Sequence, residues 1–154
     1  MRVRRAFLLL AFGLALWSAV LAHEALPVSA PSAAPQKKWI LIELDMKRLT
    51  LYQGTTVLKR YPIATGAWST PSPIGVFTVI GRFKTEMSGF GTRFLRLNVP
   101  WGVYGIHGTN RPDSIGANAS HGCIRLRVAD AEALYAMVPN GTRVYLEGGP
   151  YGPL

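Results

Sequence analysis

From Trp39 onward, apolar and polar residues come in short runs separated by turn residues, a pattern that predicts strands. Ile40-Leu41-Ile42-Glu43-Leu44 is the first run, and Leu49 to Tyr52 follows after Asp45 to Arg48. Gln53-Gly54-Thr55 then turns the chain into a third run, Val57 to Thr65, which together predict a meander. Gly66 to Gly75 holds Pro71 and Pro73 between its glycines and reads as a loop before a strand over Val76 to Ile80. Gly81 to Thr92 is polar and contains glycine, so a mobile excursion is expected there. Arg93 to Val99 and Val103 to His107 predict two more strands, and Gly108 to Ser120 a long loop. The periodicity changes to helical over Val128 to Val138, where Ala131, Leu134, Tyr135 and Val138 share a face. Asp130 and Glu132 lie near its start, where the helix dipole favours anions, and Pro139-Asn140-Gly141 stops it before a last strand over Arg143 to Glu147. The expected fold class is mainly β: a single small curved sheet, sandwich-like or barrel-like, with one packed helix, over 37–148 and followed by a tail at 149–154.

The first residues break this pattern. Arg2, Arg4 and Arg5 precede an uninterrupted apolar run from Ala6 to Ala22, and Val20-Leu21-Ala22 suits a signal peptidase. Residues 1–22 are therefore expected to be a signal peptide, cut between Ala22 and His23. The run is near the minimum for a membrane span, so an uncleaved anchor is the alternative. No cysteine follows closely, which argues against a lipoprotein anchor. Residues 23–36, rich in Ala, Pro and Ser, read as a flexible linker. On either reading the remainder is exported to the periplasm or cell envelope.

Length allows one domain with a substantial core. Without residues 1–22 the chain carries 14 basic and 8 acidic side chains, a net charge of +6. The cations are scattered in pairs such as Lys37-Lys38, Lys47-Arg48 and Lys59-Arg60, the mark of a solvated surface with mild attraction to an anionic envelope polymer. With export, that excludes nucleic acid as the expected partner. The chain has a single cysteine, Cys123, so no internal disulfide can form. A lone thiol in an oxidising compartment is a liability unless its reactivity is used.

Cys123 stands in Ser120-His121-Gly122-Cys123-Ile124-Arg125-Leu126, sixteen residues after the His107 of Ile106-His107-Gly108-Thr109. A free thiol has a pKa of about 8.5, so a nearby imidazole is needed to take its proton at neutral pH. His121 would share a face with Cys123 on an extended segment, without assured contact. His107 ends a predicted strand whose loop returns to the cysteine, and strands about 4.8 Å apart would let its ring reach the thiol. Gly108 and Gly122 permit close backbone approach, and amides around Gly122 and Cys123 could face an acyl oxyanion. Zinc held by His107, His121 and Cys123 is the competing reading, but no fourth ligand is evident and no metal is expected.

These segments, with Ser114-Ile115-Gly116 between them, resemble the signature of the L,D-transpeptidase catalytic domain, the YkuD family. Thr65-Gly66 and Thr70-Pro71-Ser72-Pro73-Ile74-Gly75-Val76-Phe77 are similar to that family's second characteristic stretch, and the likeness runs from about Trp39 to Glu147. The resemblance implies a cysteine acyltransferase without cofactor. Cys123 would be the nucleophile, His107 the base, and the Gly108 carbonyl the group that orients the imidazole. Amides from His121 to Cys123 would form the oxyanion hole, with Ser120 and His121 supporting the loop. Arg125 would shape the pocket or bind substrate. The implied partners are peptidoglycan stem peptides as donor and acceptor, joined in 3→3 cross-links by a monomer. Water as acceptor would give an L,D-carboxypeptidase, and a lysine of an envelope protein an anchoring enzyme.

Overall fold

A computed structural model describes residues 36–149. The expected signal peptide, most of the linker and the tail beyond residue 149 lie outside the described residues. Among the described residues, ten strands and one α-helix occur in the order β1 (Lys38–Glu43), β2 (Arg48–Gln53), β3 (Thr56–Pro62), β4 (Thr65–Gly66), β5 (Gly75–Ser88), β6 (Gly91–Leu97), β7 (Tyr104–Gly108), β8 (Asn118–Ser120), β9 (Ile124–Leu126), α1 (Val128–Met137) and β10 (Arg143–Glu147). The fold is mainly β with one α-helix, as the apolar pattern implies, and the main sheet stays open rather than closing into a barrel.

Eight strands form that sheet in the order β3-β2-β1-β10-β5-β6-β7-β9, while β4 and β8 form a short parallel pair. β10 lies between β1 and β5, parallel to the first and antiparallel to the second. β5 serves both halves of the sheet: Gly75 to Thr78 pair with β10, and Val79 onward pairs with β6. Alternation does the packing. Ile40 and Ile42, Val144 and Leu146, Phe77 and Val79, Leu95 and Leu97, and Ile124 and Leu126 all point into one core. The helix closes it from β6 and β7, with Ala131, Leu134 and Val138 buried and Tyr135 partly so. Among the described residues no helix is long and apolar enough to cross a membrane.

One stretch expected to be a loop is not, and a second is a loop that ends in a short strand. Gly81 to Thr92 is the turn and flanking strands of the β5–β6 hairpin, not a mobile excursion. Its polar residues alternate with Phe83, Phe90 and Phe94, whose rings contact one another across the hairpin. The long segment after His107 contains a 3-10 turn at Pro112–Ser114 and then β8, whose pairing with β4 ties it to the Thr65-Gly66 stretch.

Candidate active site

His107 and Cys123 are brought together by the parallel pairing of β7 and β9. Ile106 registers with Ile124 and His107 with Arg125, so Cys123, just before β9, falls beside the start of β7. There the Gly105 amide meets its sulfur, and Sγ also lies 3.9 Å from the Val103 carbonyl oxygen. His107, Ser120, His121, Cys123 and Arg125 all line one cavity of about 700 Å³. Phe83, Phe90, Phe94 and Val103 supply its apolar wall. Lys84 and Arg125 are the formal cations among its described lining residues, which include no carboxylate.

The His107 ring is buried and held on three sides. Its Nδ1 lies in a hydrogen bond with the Gly108 carbonyl oxygen. Because a carbonyl only accepts, Nδ1 carries the proton and Nε2 keeps its lone pair. Phe94 stacks on the ring at 5.7 Å, and Phe90 meets it edge-on at 5.0 Å. Burial lowers the imidazole pKa to about 4; the Gly108 carbonyl opposes this and the Arg125 charge adds to it. At neutral pH this histidine is a neutral base. The thiol is pushed the other way: burial raises the Cys123 pKa, against the Gly105 amide and the Arg125 charge, which lower it. Burial thus favours the neutral form of both groups.

Ser120 is the brace of the cysteine loop. Its Oγ donates to the Cys123 carbonyl at 2.5 Å and accepts from the Gly122 amide at 3.0 Å. Its own carbonyl accepts from the Ala67 amide and from Thr70 Oγ1, fastening the loop to the Thr65–Pro73 stretch. Gly66 and Ser72 lock that stretch from within, Ser72 Oγ accepting from the Gly66 amide at 2.9 Å. Gly122 has φ of +111°, and a Cβ on it would lie 2.6 Å from Tyr104. Only glycine fits there. The Gly122 amide is already donated to Ser120.

His121 stands exposed on the rim, and among the described residues no hydrogen bond joins it to the loop. The hydrogen bonds that hold the loop among the described residues run through Ser120. Arg125 Nε is buried without a hydrogen-bond partner, beside His107 and at the cavity. No group of three or more potential metal-ligating side chains occurs among the described residues.

Sequence reasoning missed Phe90, Phe94 and Gly105. Phe94 reaches His107 through the β6–β7 register, in which the two oppose each other, Phe90 reaches it from the turn before β6, and Gly105 acts through its backbone. The hairpin approaches closely because Gly91, at φ +62°, backs onto Gly108: a Cβ there would lie 2.8 Å from the Gly108 Cα.

Residues 37–146 match the YkuD family, the L,D-transpeptidase catalytic domain. The chain is 45% identical over 105 residues to the putative L,D-transpeptidase YkuD of Bacillus subtilis, covering 68% of this chain and 63% of that protein. It therefore spans less than two thirds of that relative. Its fold is similar to that of an L,D-transpeptidase from Mycobacterium smegmatis, with a TM-score of 0.62 and 24% identity over 73% of this chain and 59% of the other. It is also similar to the L,D-transpeptidase LdtMt1 solved in complex with imipenem, with a TM-score of 0.61 and 22% identity, covering 71% and 58%.

Proposed function

The chain belongs to the L,D-transpeptidase catalytic domain family, and on that premise we propose that it forms 3→3 cross-links between peptidoglycan stem peptides through a thioester on Cys123, in the periplasm or cell envelope. The observation that carries this reading is the fixed tautomer of His107. Its Nδ1–H is committed to Gly108, so Nε2 is free to act as a base in the cavity that also holds the thiol.

Cys123 Sγ attacks the carbonyl of the third stem residue, a diamino acid, as its proton passes to His107 Nε2. The His121 and Cys123 amides stabilise the oxyanion. The bond to the fourth residue, D-Ala, breaks, and His107 returns the proton to the departing amine. An amine of a second stem then attacks the thioester, giving up a proton to His107, and the sulfur leaves and is reprotonated. Starting from neutral partners, proton transfer must accompany attack. A cavity lined by Lys84 and Arg125, with no carboxylate among its described lining residues, suits the anionic stem.

Two measurements test this. Imipenem, the ligand of the solved relative, should add once to the intact protein and not to Cys123→Ser, as read by mass spectrometry. Incubation with disaccharide tetrapeptide should release D-Ala and give a 3→3 dimer. Tripeptide alone would identify a carboxypeptidase, and a peptidoglycan adduct only on an envelope protein an anchoring enzyme. No imipenem adduct on folded protein would remove the acyl-enzyme reading.

A further inference from the structure

A cavity of about 860 Å³, larger than the one at Cys123, opens on the outer face of the parallel pair β1–β10 and shares no lining residue with the cysteine site. Its floor follows from strand register: Trp39 lies beside Arg143 and Leu41 beside Tyr145. The residues that alternate with these, Ile40, Ile42, Val144 and Leu146, fill the core, so this face is turned outward by the pleat alone. The wall is the exposed Asn140-Gly141 turn that leaves the helix.

The aromatic floor is fixed before anything binds. Trp39 stacks on Tyr52 at 4.2 Å, 6° from parallel, and donates Nε1–H to the Gly54 carbonyl at 2.7 Å. Tyr145 meets Trp39 at 83° and 5.5 Å, and is 38% exposed. Around this floor stand Lys37, Lys38 and Arg143 against one carboxylate, Glu147. Lys38 Nζ is anchored to the Met137 carbonyl at 3.0 Å, which fixes its charge at the cleft edge. The surroundings are aromatic, amide-bearing and cationic, and they are concave. A bilayer surface is met by protruding side chains, whereas a recess takes a discrete chain. Sugar rings present C–H faces to an aromatic floor, and carboxylates pair with Lys and Arg.

We propose that this cleft is a second, non-catalytic binding site for the peptidoglycan polymer, gripping amino-sugar and carboxylate groups of a strand at a distance from the thioester. The proposal rests on the peptidoglycan reading of the Cys123 site and adds a function that the site itself does not supply. It gives the enzyme a second hold on an insoluble substrate, with an effective concentration set by the separation of the two sites.

The test is co-sedimentation of the exported protein with purified insoluble peptidoglycan, after the cysteine cavity has been filled by imipenem. Filled wild type should still sediment, and less so as salt rises. The double variant Arg143→Glu, Tyr145→Ala should bind about tenfold more weakly or worse, while the conservative Arg143→Lys, Tyr145→Phe stays close to wild type. Both pairs lie outside the catalytic machinery, so both should acylate with imipenem and turn over soluble stem peptides like wild type. Slower turnover should appear for the charge-reversed pair on the insoluble polymer only. Equal sedimentation of that pair overturns the proposal, as does loss of all sedimentation on imipenem treatment. So does binding to anionic phospholipid vesicles in place of the polymer. Wild type that yields no product from soluble stems would instead remove the peptidoglycan reading on which the proposal stands.

Discussion

At the scale of single residues, the site rests on two opposed shifts. A buried neutral His107 with a pKa of about 4 remains a base well below the range of an ordinary imidazole. Imipenem acylation followed against pH should therefore hold its rate through 6.5, the ordinary histidine value, and fall only as pH nears 4. A midpoint at 6.5 would mean that the ring is solvated in the folded enzyme. The same shift predicts a stability effect. Between pH 6.5 and about 4 the unfolded chain binds a proton that the folded one does not. The contribution is thus complete above pH 6.5 and is lost on acidification towards 4, by up to about 3 kcal/mol. Urea midpoints at pH 7.5 and 4.5 should differ more for wild type than for His107→Gln. Arg125 supplies a second test, because its charge lowers both pKa values. Arg125→Gln should raise both the alkylation midpoint of Cys123 and the acid limb of acylation; movement of one without the other would mean that the charge does not act on the pair. That Cys123 and His107 share one cavity was legible in the sequence as a candidate pairing, because thiol and imidazole chemistry is confined to a few side chains. The Gly105 amide was not, since a backbone donor leaves no mark on residue type. The buried, unpartnered Nε of Arg125 likewise depends on packing that one residue name does not carry.

At the scale of elements, short-range periodicity carried the reading and its failures share a cause. β1, β2, β7, α1 and β10 were visible because each alternates or repeats against one core. Gly81 to Thr92, the outer part of the β5–β6 hairpin, reads as an excursion in the sequence because its polar residues mask an aromatic face that acquires meaning only when Phe90 and Phe94 meet His107. β8 and β9 have three residues each, too few to show a period. Their position comes instead from Ser120 and from a glycine that no other residue can replace. Gly122→Ala puts a Cβ at φ +111°, 2.6 Å from Tyr104. Strain of this kind costs about 1–3 kcal/mol, so the melting temperature should fall. Acylation should fall further than the melt explains, because the Cys123 amide and sulfur move with the loop. If Gly122→Ala acylates at the wild-type rate at a temperature where both are folded, the loop geometry is not what positions the nucleophile.

At the scale of the whole molecule, strand order was the part that sequence could not supply. β10, the last strand, inserts between β1 and β5, and parallel pairing across some hundred residues leaves no local trace. That insertion is what gathers Trp39, Arg143 and Tyr145 on one outer face, while the β7–β9 pairing forms the cysteine site on the other half of the sheet. The arrangement also bears on the single thiol of a chain whose sequence predicts export. The arginine-flanked run to Ala22 predicts that the chain is delivered to an oxidising compartment and cut before His23. Exposed thiols there pair between molecules through their thiolates. Cys123 is half-buried, and burial raises its pKa, so little thiolate forms at neutral pH and access is narrow. Protein isolated from the periplasm should therefore read from His23 by N-terminal sequencing, run as a monomer on a non-reducing gel, and titrate one free thiol per chain after unfolding without reductant. A sequence starting at Met1 with the chain in the membrane fraction would establish the uncleaved anchor. A covalent dimer dissolved by reductant would mean that the cavity does not shield the nucleophile.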